Sequence, residues 1–379
     1  MKIGIFGGSF DPVHSEHVHL AEAAISSLGL DKLLIMPAST PPHKQGKKMA
    51  SANDRLQMCR LAFAKYPQVE VSDYEMKQAG TSYTYLTCQH FKKEYPSAQL
   101  FWLVGTDMLR DFPTWKNPEI ILDNATLAVC SRAEKVGWEE REQAVFQSRF
   151  GKKFVVIRYN ATDVSSTQIR VLAGAGMRLT HLTDEKVAEY IQNNGLYAID
   201  GAKEALALQK PERAEHSVRV ALAAATVANQ LHIPETQALQ AALLHDCAKN
   251  LAPNHPLLDG FMLEQQYGEV PAPVWHQFAG AYLAENHFGV QDETICNAIR
   301  FHTSGRPGMS NLEELIFLAD VVEDGRHFSG VDDLRALFYQ GDLRACMRLA
   351  LERSLQFLQE KKAEVYPLTL QAYAYYQGE

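Results

Sequence analysis

Along its first half the chain alternates short, continuous apolar runs with longer stretches of helical periodicity. Apolar runs at residues 3–6, 32–37, 69–71, 99–104, 127–130 and 154–157 have the length and β-branched content of buried strands. Between them, residues 17–28, 53–65, 83–95 and 138–150 place apolar positions at helical spacing. Strands alternating with helices predict an α/β domain with a parallel sheet covered on both faces. Residues 166–175 and 184–194 read as two closing helices, with Gly195 as the stop. Beyond about residue 200 the strand signals vanish, and helical patterns follow at 213–231, 236–247, 273–287, 292–301, 312–322 and 342–358. The switch from α/β to all-α predicts a boundary within 196–210, hence domains at 1–198 and 199–379, with a flexible stretch near 200–210.

Composition narrows the classes. Of the 379 residues 46% are hydrophobic and 22% charged, and a net charge of -8 argues against broad binding to nucleic acid or to an anionic membrane surface. No run approaches 18 apolar residues, and the N-terminus enters a strand directly, so neither a membrane span nor a signal peptide is expected. The six cysteines are scattered without a C-x-x-C pair and read as small buried hydrophobes. The expectation is a cytoplasmic protein with small-molecule partners, compatible with a homo-oligomer.

Two segments of the first half carry chemistry. Gly7-Gly8-Ser9-Phe10-Asp11-Pro12-Val13-His14-Ser15-Glu16-His17 joins the first strand to a helix. Its glycines let the backbone approach a ligand, the helix N-terminus attracts phosphate, and His14 and His17, three apart, face one spot. The plainer alternative is a glycine turn with surface histidines. Far downstream, Val164-Ser165-Ser166-Thr167-Gln168-Ile169-Arg170 combines capping hydroxyls with an arginine one turn into a helix, suited to phosphate or simply to a capped surface helix.

Together these segments resemble the nucleotidyltransferase superfamily marked by H-x-G-H and S-S-T-x-I-R, and within it the bacterial nicotinate-nucleotide adenylyltransferases. Pro41-Pro42-His43-Lys44, Ser82-Tyr83-Thr84, and Val104-Gly105-Thr106-Asp107 with Trp115 match further segments in order, so the likeness spans nearly all of 1–198. The resemblance implies a Rossmann-like domain moving the adenylyl group of ATP onto nicotinate mononucleotide, with magnesium on the triphosphate. By it, Gly7, Gly8, Ser9, Phe10, His14, His17, Gly105, Asp107, Ser165, Ser166, Thr167 and Arg170 would bind ATP. His14, His17, Lys44 and Arg170 would act on the transferring phosphate. Lys44, Ser82, Tyr83, Thr84 and Trp115 would hold the nicotinate nucleotide. The chain departs from the family at Glu16, where the motif has Gly, and at Leu86, where Asp is usual.

The second half gathers His216, the pair His245-Asp246, His276, His302 and Asp320. Imidazoles and carboxylates suit iron, manganese or zinc, and six such groups can hold two ions. His245 and Asp246 end an apolar helix and Asp320 interrupts an apolar run, where a carboxylate needs a cation or hydrogen bonds. Individually, each could be satisfied by hydrogen bonds. The series resembles the HD superfamily of metal-dependent phosphohydrolases. Glu215-His216-Ser217-Val218-Arg219-Val220, the H-D-x-A-K segment and Arg300-Phe301-His302-Thr303-Ser304-Gly305-Arg306-Pro307 resemble the symmetrical bis(5′-nucleosyl)-tetraphosphatases.

That resemblance implies an all-α HD domain that splits diadenosine tetraphosphate into two ADP with iron or another divalent transition metal, mononuclear or dinuclear. Asp246 would be catalytic, and Arg219, Lys249 and Arg306 would contact phosphates. Two alternatives stand beside a bifunctional enzyme: a nucleotide sensor whose first domain is silenced by Glu16, and an adenylyltransferase–nucleotidase pair of other substrates. A tethered hydrolase would also be placed to clear dinucleoside polyphosphates made by misdirected adenylyl transfer.

Overall fold

Six apolar runs become six strands: β1 (Lys2–Gly8), β2 (Lys32–Pro37), β3 (Val69–Val71), β4 (Gln99–Gly105), β5 (Thr126–Arg132) and β6 (Val155–Tyr159). β1, β2, β4 and β5 are buried along most of their length, as a sheet covered on both faces requires, and the edge strands β3 and β6 are largely half-buried. The computed structural model describes residues 1–39, 49–78, 82–132 and 137–378. In it the strands form one parallel sheet in the order β3-β2-β1-β4-β5-β6. Ile3, Ile5, Leu34, Met36, Trp102 and Val104 point to one face and pack on one apolar cluster, as a period of two requires. The helices that accompany the sheet are α1 (Ser15–Leu28), α2 (Ala52–Phe63), α3 (Tyr74–Lys77), α4 (Thr84–Glu94), α5 (Thr106–Asp111), α6 (Pro118–Asn124), α7 (Glu139–Phe150), α8 (Ser166–Gly174) and α9 (Glu185–Asn193). The strand order reverses between β1 and β4, so a crevice opens at their C-terminal ends, where Gly7, Gly8 and Gly105 lie.

The second part has no strand among its described residues, and its α-helices are α10 (Ala202–Ala207), α11 (Pro211–Ala228), α12 (Glu235–Leu244), α13 (Ala272–Asn286), α14 (Glu293–Arg300), α15 (Asn311–Val322), α16 (Val331–Gln340), α17 (Leu343–Glu360) and α18 (Pro367–Gln377). Alanines line the α11–α12 contact, among them Ala221, Ala224, Ala238 and Ala242, and let the two backbones approach closely. α15 runs through the core, with every residue from Leu312 to Ala319 buried. By contacts the chain forms two units, Met1–Ile169 with Leu179–Leu196, and Arg170–Arg178 with Tyr197–Glu379. The later residues of α8 fall in the second unit because Val171 and Ala175 belong to its core.

The stretch near 200–210 is not the flexible tether expected. It contains α10, whose Ala202 and Ala205 are fully buried, and Gly201 approaches Phe288 so closely that a Cβ would lie 2.5 Å from that side chain. Polar linker composition was offset by three small apolar anchors. Five other helices, α3, α5, α6, α16 and α18, also lacked a signal: the first three are short, and α18 is rich in tyrosine, which favours strands by propensity. The six cysteines are free and buried.

Candidate active sites

In the first unit, β1 ends in two glycines because the chain turns tightly there. A Cβ on Gly7 would lie 2.8 Å from the Trp102 ring, and Phe10 takes a φ of 45°. α1 then begins, with His14 as its N-cap. The His14 backbone N–H donates to His17 Nδ1 at 3.2 Å, and the two rings lie 3.8 Å apart by centroid, so both histidines sit at one helix end. Burial pulls His14 down to about 4, which leaves it neutral at pH 7, and its Nδ1 is buried without a partner. Ser166 at the start of α8 donates to the Pro12 carbonyl oxygen at 3.0 Å, bringing a second helix N-terminus to the same loop.

Glu16 does not face that loop freely. Its carboxylate accepts from the Tyr159 hydroxyl at 3.0 Å, the Thr162 N–H at 2.6 Å and the Thr162 hydroxyl at 2.9 Å. The acid that replaces the motif glycine is thereby turned to the end of β6. Arg55, to which the sequence drew no attention, is 1% exposed. It donates to the carbonyls of Ser9 (2.7 Å), Ala38 (2.8 Å), Ser39 (3.1 Å) and Ala50 (3.2 Å), and so stitches the loop after β1 to the loop after β2.

A cleft of about 600 Å³ lies beside this loop. Its walls include Gly7, Gly8, Ser9, Ser82, Tyr83, Thr84 and Trp115, so the glycine loop and the S-Y-T segment share one cavity. Ser82 Oγ accepts from the Ser39 N–H at 3.2 Å, and Lys116 Nζ lies 4.2 Å from the centroid of the Tyr83 ring. Gly105 admits Asp107: a Cβ there would lie 2.4 Å from its carboxylate. Leu86 is 45% exposed and lines a smaller neighbouring hollow. Pro41, Pro42, His43 and Lys44 lie outside the described residues. Arg170 belongs to the second unit, where its Nε and Nη2 donate to both oxygens of Glu235 at 2.6 and 2.8 Å.

In the second unit the six expected ligands converge. His216 comes from α11, His245 and Asp246 from the turn that ends α12, His276 from α13, His302 from the turn after α14, and Asp320 from α15. His216 Nε2 is 2.9 Å from Asp320 Oδ1, and His276 Nε2 is 3.1 Å from Asp246 Oδ1. Asp246 Oδ2 lies 3.5 Å from His245 Nε2 and 4.0 Å from His216 Nε2, while Oδ1 lies 3.5 Å from His302 Nε2. Its two oxygens thus face two sets of imidazoles.

The far sides of three rings are fixed. His245 Nδ1–H donates to the Ala242 carbonyl (2.6 Å), His302 Nδ1–H to that of Ile299 (2.8 Å), and His216 Nδ1–H to Glu323 Oε1 (3.1 Å). Each bond selects the tautomer whose Nε2 lone pair points inward. Glu323, another residue the sequence did not reveal, is held in turn by Arg219 Nε at 2.6 Å and the Gly325 N–H at 2.6 Å. Arg219 therefore supports His216 through Glu323. Arg306 pairs with buried Glu313 at 2.6 and 3.0 Å, away from the six, and Lys249 Nζ sits 3.2 Å from His276 Nε2. Burial brings His276 down to about 4 and lowers His302. Burial opposes ionisation of Asp246, but the imidazole nitrogens of His245, His276 and His302 gathered around it outweigh burial and hold the carboxyl well below its ordinary range.

The donor set fits a divalent cation. His216 Nε2, His245 Nε2 and Asp246 Oδ1 are buried without a well-directed hydrogen bond, and three overlapping trios of the six bring one donor atom each within 4.8 Å of one another. Nitrogen and carboxylate donors of this kind suit iron, manganese and zinc.

The profile of the cytidylyltransferase-like family matches residues 5–172, and that of the HD domain matches residues 213–325. A protein of Mycoplasma genitalium named "probable nicotinate-nucleotide adenylyltransferase/Ap4A hydrolase" is 31% identical over 326 residues, which cover 86% of this chain and 88% of the relative. A protein of Mycoplasma pneumoniae with the same name is 31% identical over 93% of this chain and 99% of its own length. The chain belongs to this family of fused nucleotidyltransferases and HD-domain hydrolases. The nucleotidyltransferase half alone is 36% identical to a "probable nicotinate-nucleotide adenylyltransferase" of Clostridium tetani, covering 52% of this chain and 98% of that relative. HD domains bind divalent metals and nucleotidyltransferases work with magnesium, so in the fused family each half has its own cation chemistry. Among the described residues no helix is long and apolar enough to cross a membrane.

Proposed function

We propose that the first domain transfers the adenylyl group of ATP to nicotinate mononucleotide, and that the second hydrolyses diadenosine tetraphosphate to two ADP. In the transfer, a phosphate oxygen of nicotinate mononucleotide attacks the α-phosphorus of ATP, the bond to the bridging oxygen breaks, and magnesium pyrophosphate leaves. The nucleophile is already an anion, so the domain needs alignment and charge stabilisation rather than a base. The glycine loop admits the phosphates, and the N-termini of α1 and α8 present N–H groups and positive dipole ends to them. His14, neutral at pH 7, and His17 would serve as donors, and Ser165, Ser166, Thr167 and Lys44 would complete the phosphate contacts; Arg170, which the resemblance adds to this set, is engaged by Glu235. Ser82, Tyr83, Thr84 and Trp115 would hold the nicotinate nucleotide. The observation that carries this reading is the single cleft shared by the glycine loop, the S-Y-T segment and Trp115.

The alternative of a silenced sensor is disfavoured by Glu16. Its carboxylate is committed to Tyr159 and Thr162, so three hydrogen bonds hold it toward the end of β6.

In the second domain, His216, His245, Asp246 and Asp320 would hold one ion, and His276 with His302 would complete a second position. Iron is the metal we assign, manganese the substitute. Bound there, the metal would supply Lewis-acid activation of water and of a phosphoryl oxygen. The chain's own part is to fix three tautomers, keep Asp246 ionised, and place Lys249 at the rim. The small nucleotide substrates and six unpaired thiols suit the cytoplasm.

The test is two incubations of the full chain, one with ATP, magnesium and nicotinate mononucleotide, the other with diadenosine tetraphosphate and iron(II) or manganese. Nicotinate adenine dinucleotide in the first and ADP alone in the second are expected. Transfer to a different acceptor, or asymmetric cleavage to ATP and AMP, would replace the reading with another substrate pair.

A further inference from the structure

Three cations border the His/Asp cluster, and they are held differently. Lys249 is half-buried against the ring of His276. Arg326 is locked: its Nε donates to the Asp320 carbonyl at 2.8 Å, its Nη2 donates to Asp320 Oδ1, and its own carbonyl accepts from Arg335 Nη2 at 2.8 Å. Arg213 is not locked. It leaves the first turn of α11 three residues before His216, its side chain is 32% exposed, and among the described residues its guanidinium bonds to Asp246 Oδ2 alone, at 2.9 Å. That oxygen is the one nearest His245 Nε2, and so lies where a cation would be bound.

A guanidinium and a metal ion cannot both hold one carboxylate oxygen at full strength, because like charges repel and the lone pairs are shared. Yet Asp246 is 2% exposed and needs a cation in either condition. We propose that Arg213 is a polyphosphate-binding residue of the hydrolase site: in the metal-free protein it neutralises Asp246, and in the metal-loaded protein it turns to an oxygen of the substrate's phosphate chain. The proposal rests on reading this cluster as a metal-dependent phosphohydrolase site. Its partial exposure gives the side chain room to turn, its position one turn from His216 keeps it on the face that carries the ligands, and its forked donors match phosphate geometry. Locked Arg326 serves Asp320 in both conditions and has no such freedom.

The experiment uses the full chain as wild type, Arg213→Ala and Arg213→Lys. Manganese affinity is measured by titration. Phosphate binding is then read from the broadening that bound manganese produces in the phosphorus NMR signal of inorganic phosphate, which reports phosphate beside the ion and not in the other domain. Arg213→Ala should bind manganese about three-fold or more tightly than wild type, since a competitor is gone, and phosphate about ten-fold more weakly, since one charged hydrogen bond is lost. Arg213→Lys should fall between on phosphate, keeping the charge without the fork. A misfolded site would lose manganese rather than gain it, so the paired signs separate the claim from damage. Weaker manganese binding in Arg213→Ala, or phosphate binding equal to wild type, overturns the proposal alone. Failure of the wild type to bind manganese overturns it together with the phosphohydrolase reading.

Discussion

Glu323→Gln tests whether the far side of a ligand histidine is part of the metal site. Glu323 is 2% exposed, and its carboxylate is shared by His216 Nδ1 at 3.1 Å, Arg219 Nε at 2.6 Å and the Gly325 N–H at 2.6 Å. Burial alone would raise its pKa, but the bonds from His216, Arg219 and Gly325 reverse this and hold it at about 2, against an ordinary 4.5. A depressed carboxylate stabilises the fold fully above the unfolded value and loses that contribution as pH falls from 4.5 toward 2. At about 1.4 kcal/mol per unit the ceiling is roughly 3 kcal/mol, reduced to about 2 because Arg219 is partly solvated. Glutamine keeps the shape and removes the charge. It should cost the metal-free protein about 2 kcal/mol in urea unfolding near neutral pH, with the gap to wild type narrowing in acid. With His216 no longer oriented by an anion, manganese affinity should fall about ten- to a hundred-fold, while adenylyl transfer stays unchanged. Unaltered manganese affinity would refute the claim that Glu323 positions His216.

Other outcomes follow from the same geometry. Glu16→Ala strips the acceptor from Tyr159 and Thr162 and should cost about 1–3 kcal/mol and raise the KM for ATP, whereas Glu16→Gln, still an acceptor, should recover most of both. Arg55→Met leaves four carbonyls without their donor and should destabilise the first domain by about 3 kcal/mol or more, read by thermal unfolding. Because burial holds His14 at about 4, its neutral form is complete in the folded chain at pH 7, so the transfer rate should show no inflection near 6.5 from this residue. The same depression makes its contribution to stability whole above 6.5 and progressively lost as pH falls toward 4, to be read by unfolding in a pH series of wild type and His14→Asn.

The sequence revealed what interrupts a pattern. His245, Asp246 and Asp320 were visible because polar groups at an apolar helix end and inside an apolar run demand a partner, and in the structure that partner is one shared cluster. The glycine loop and S-Y-T segment were legible because turn chemistry is local, and their common cleft is consistent with the order of the strands. What stayed hidden depends on distant pairing. Arg55 sits near the start of an amphipathic helix and reads as a solvated charge, and only the fold brings four carbonyls to it. Glu323 lies 107 residues from His216 in a polar loop, where carboxylates are common. The partners of Glu16 were hidden for the same reason: its three donors come from residues 143 and 146 positions away. Helices α10 and α18 were missed because mostly small or aromatic residues carry their buried faces, and neither makes a strong helical stripe.

The central claim is that one chain carries two independent phosphate-handling sites, one built from helix ends and side chains, the other from bound ions. Asp246→Asn tests it in a single preparation assayed for both reactions. The account predicts that hydrolysis of diadenosine tetraphosphate is lost with manganese binding, while formation of nicotinate adenine dinucleotide continues at the wild-type rate. Hydrolysis that survives in Asp246→Asn would contradict it.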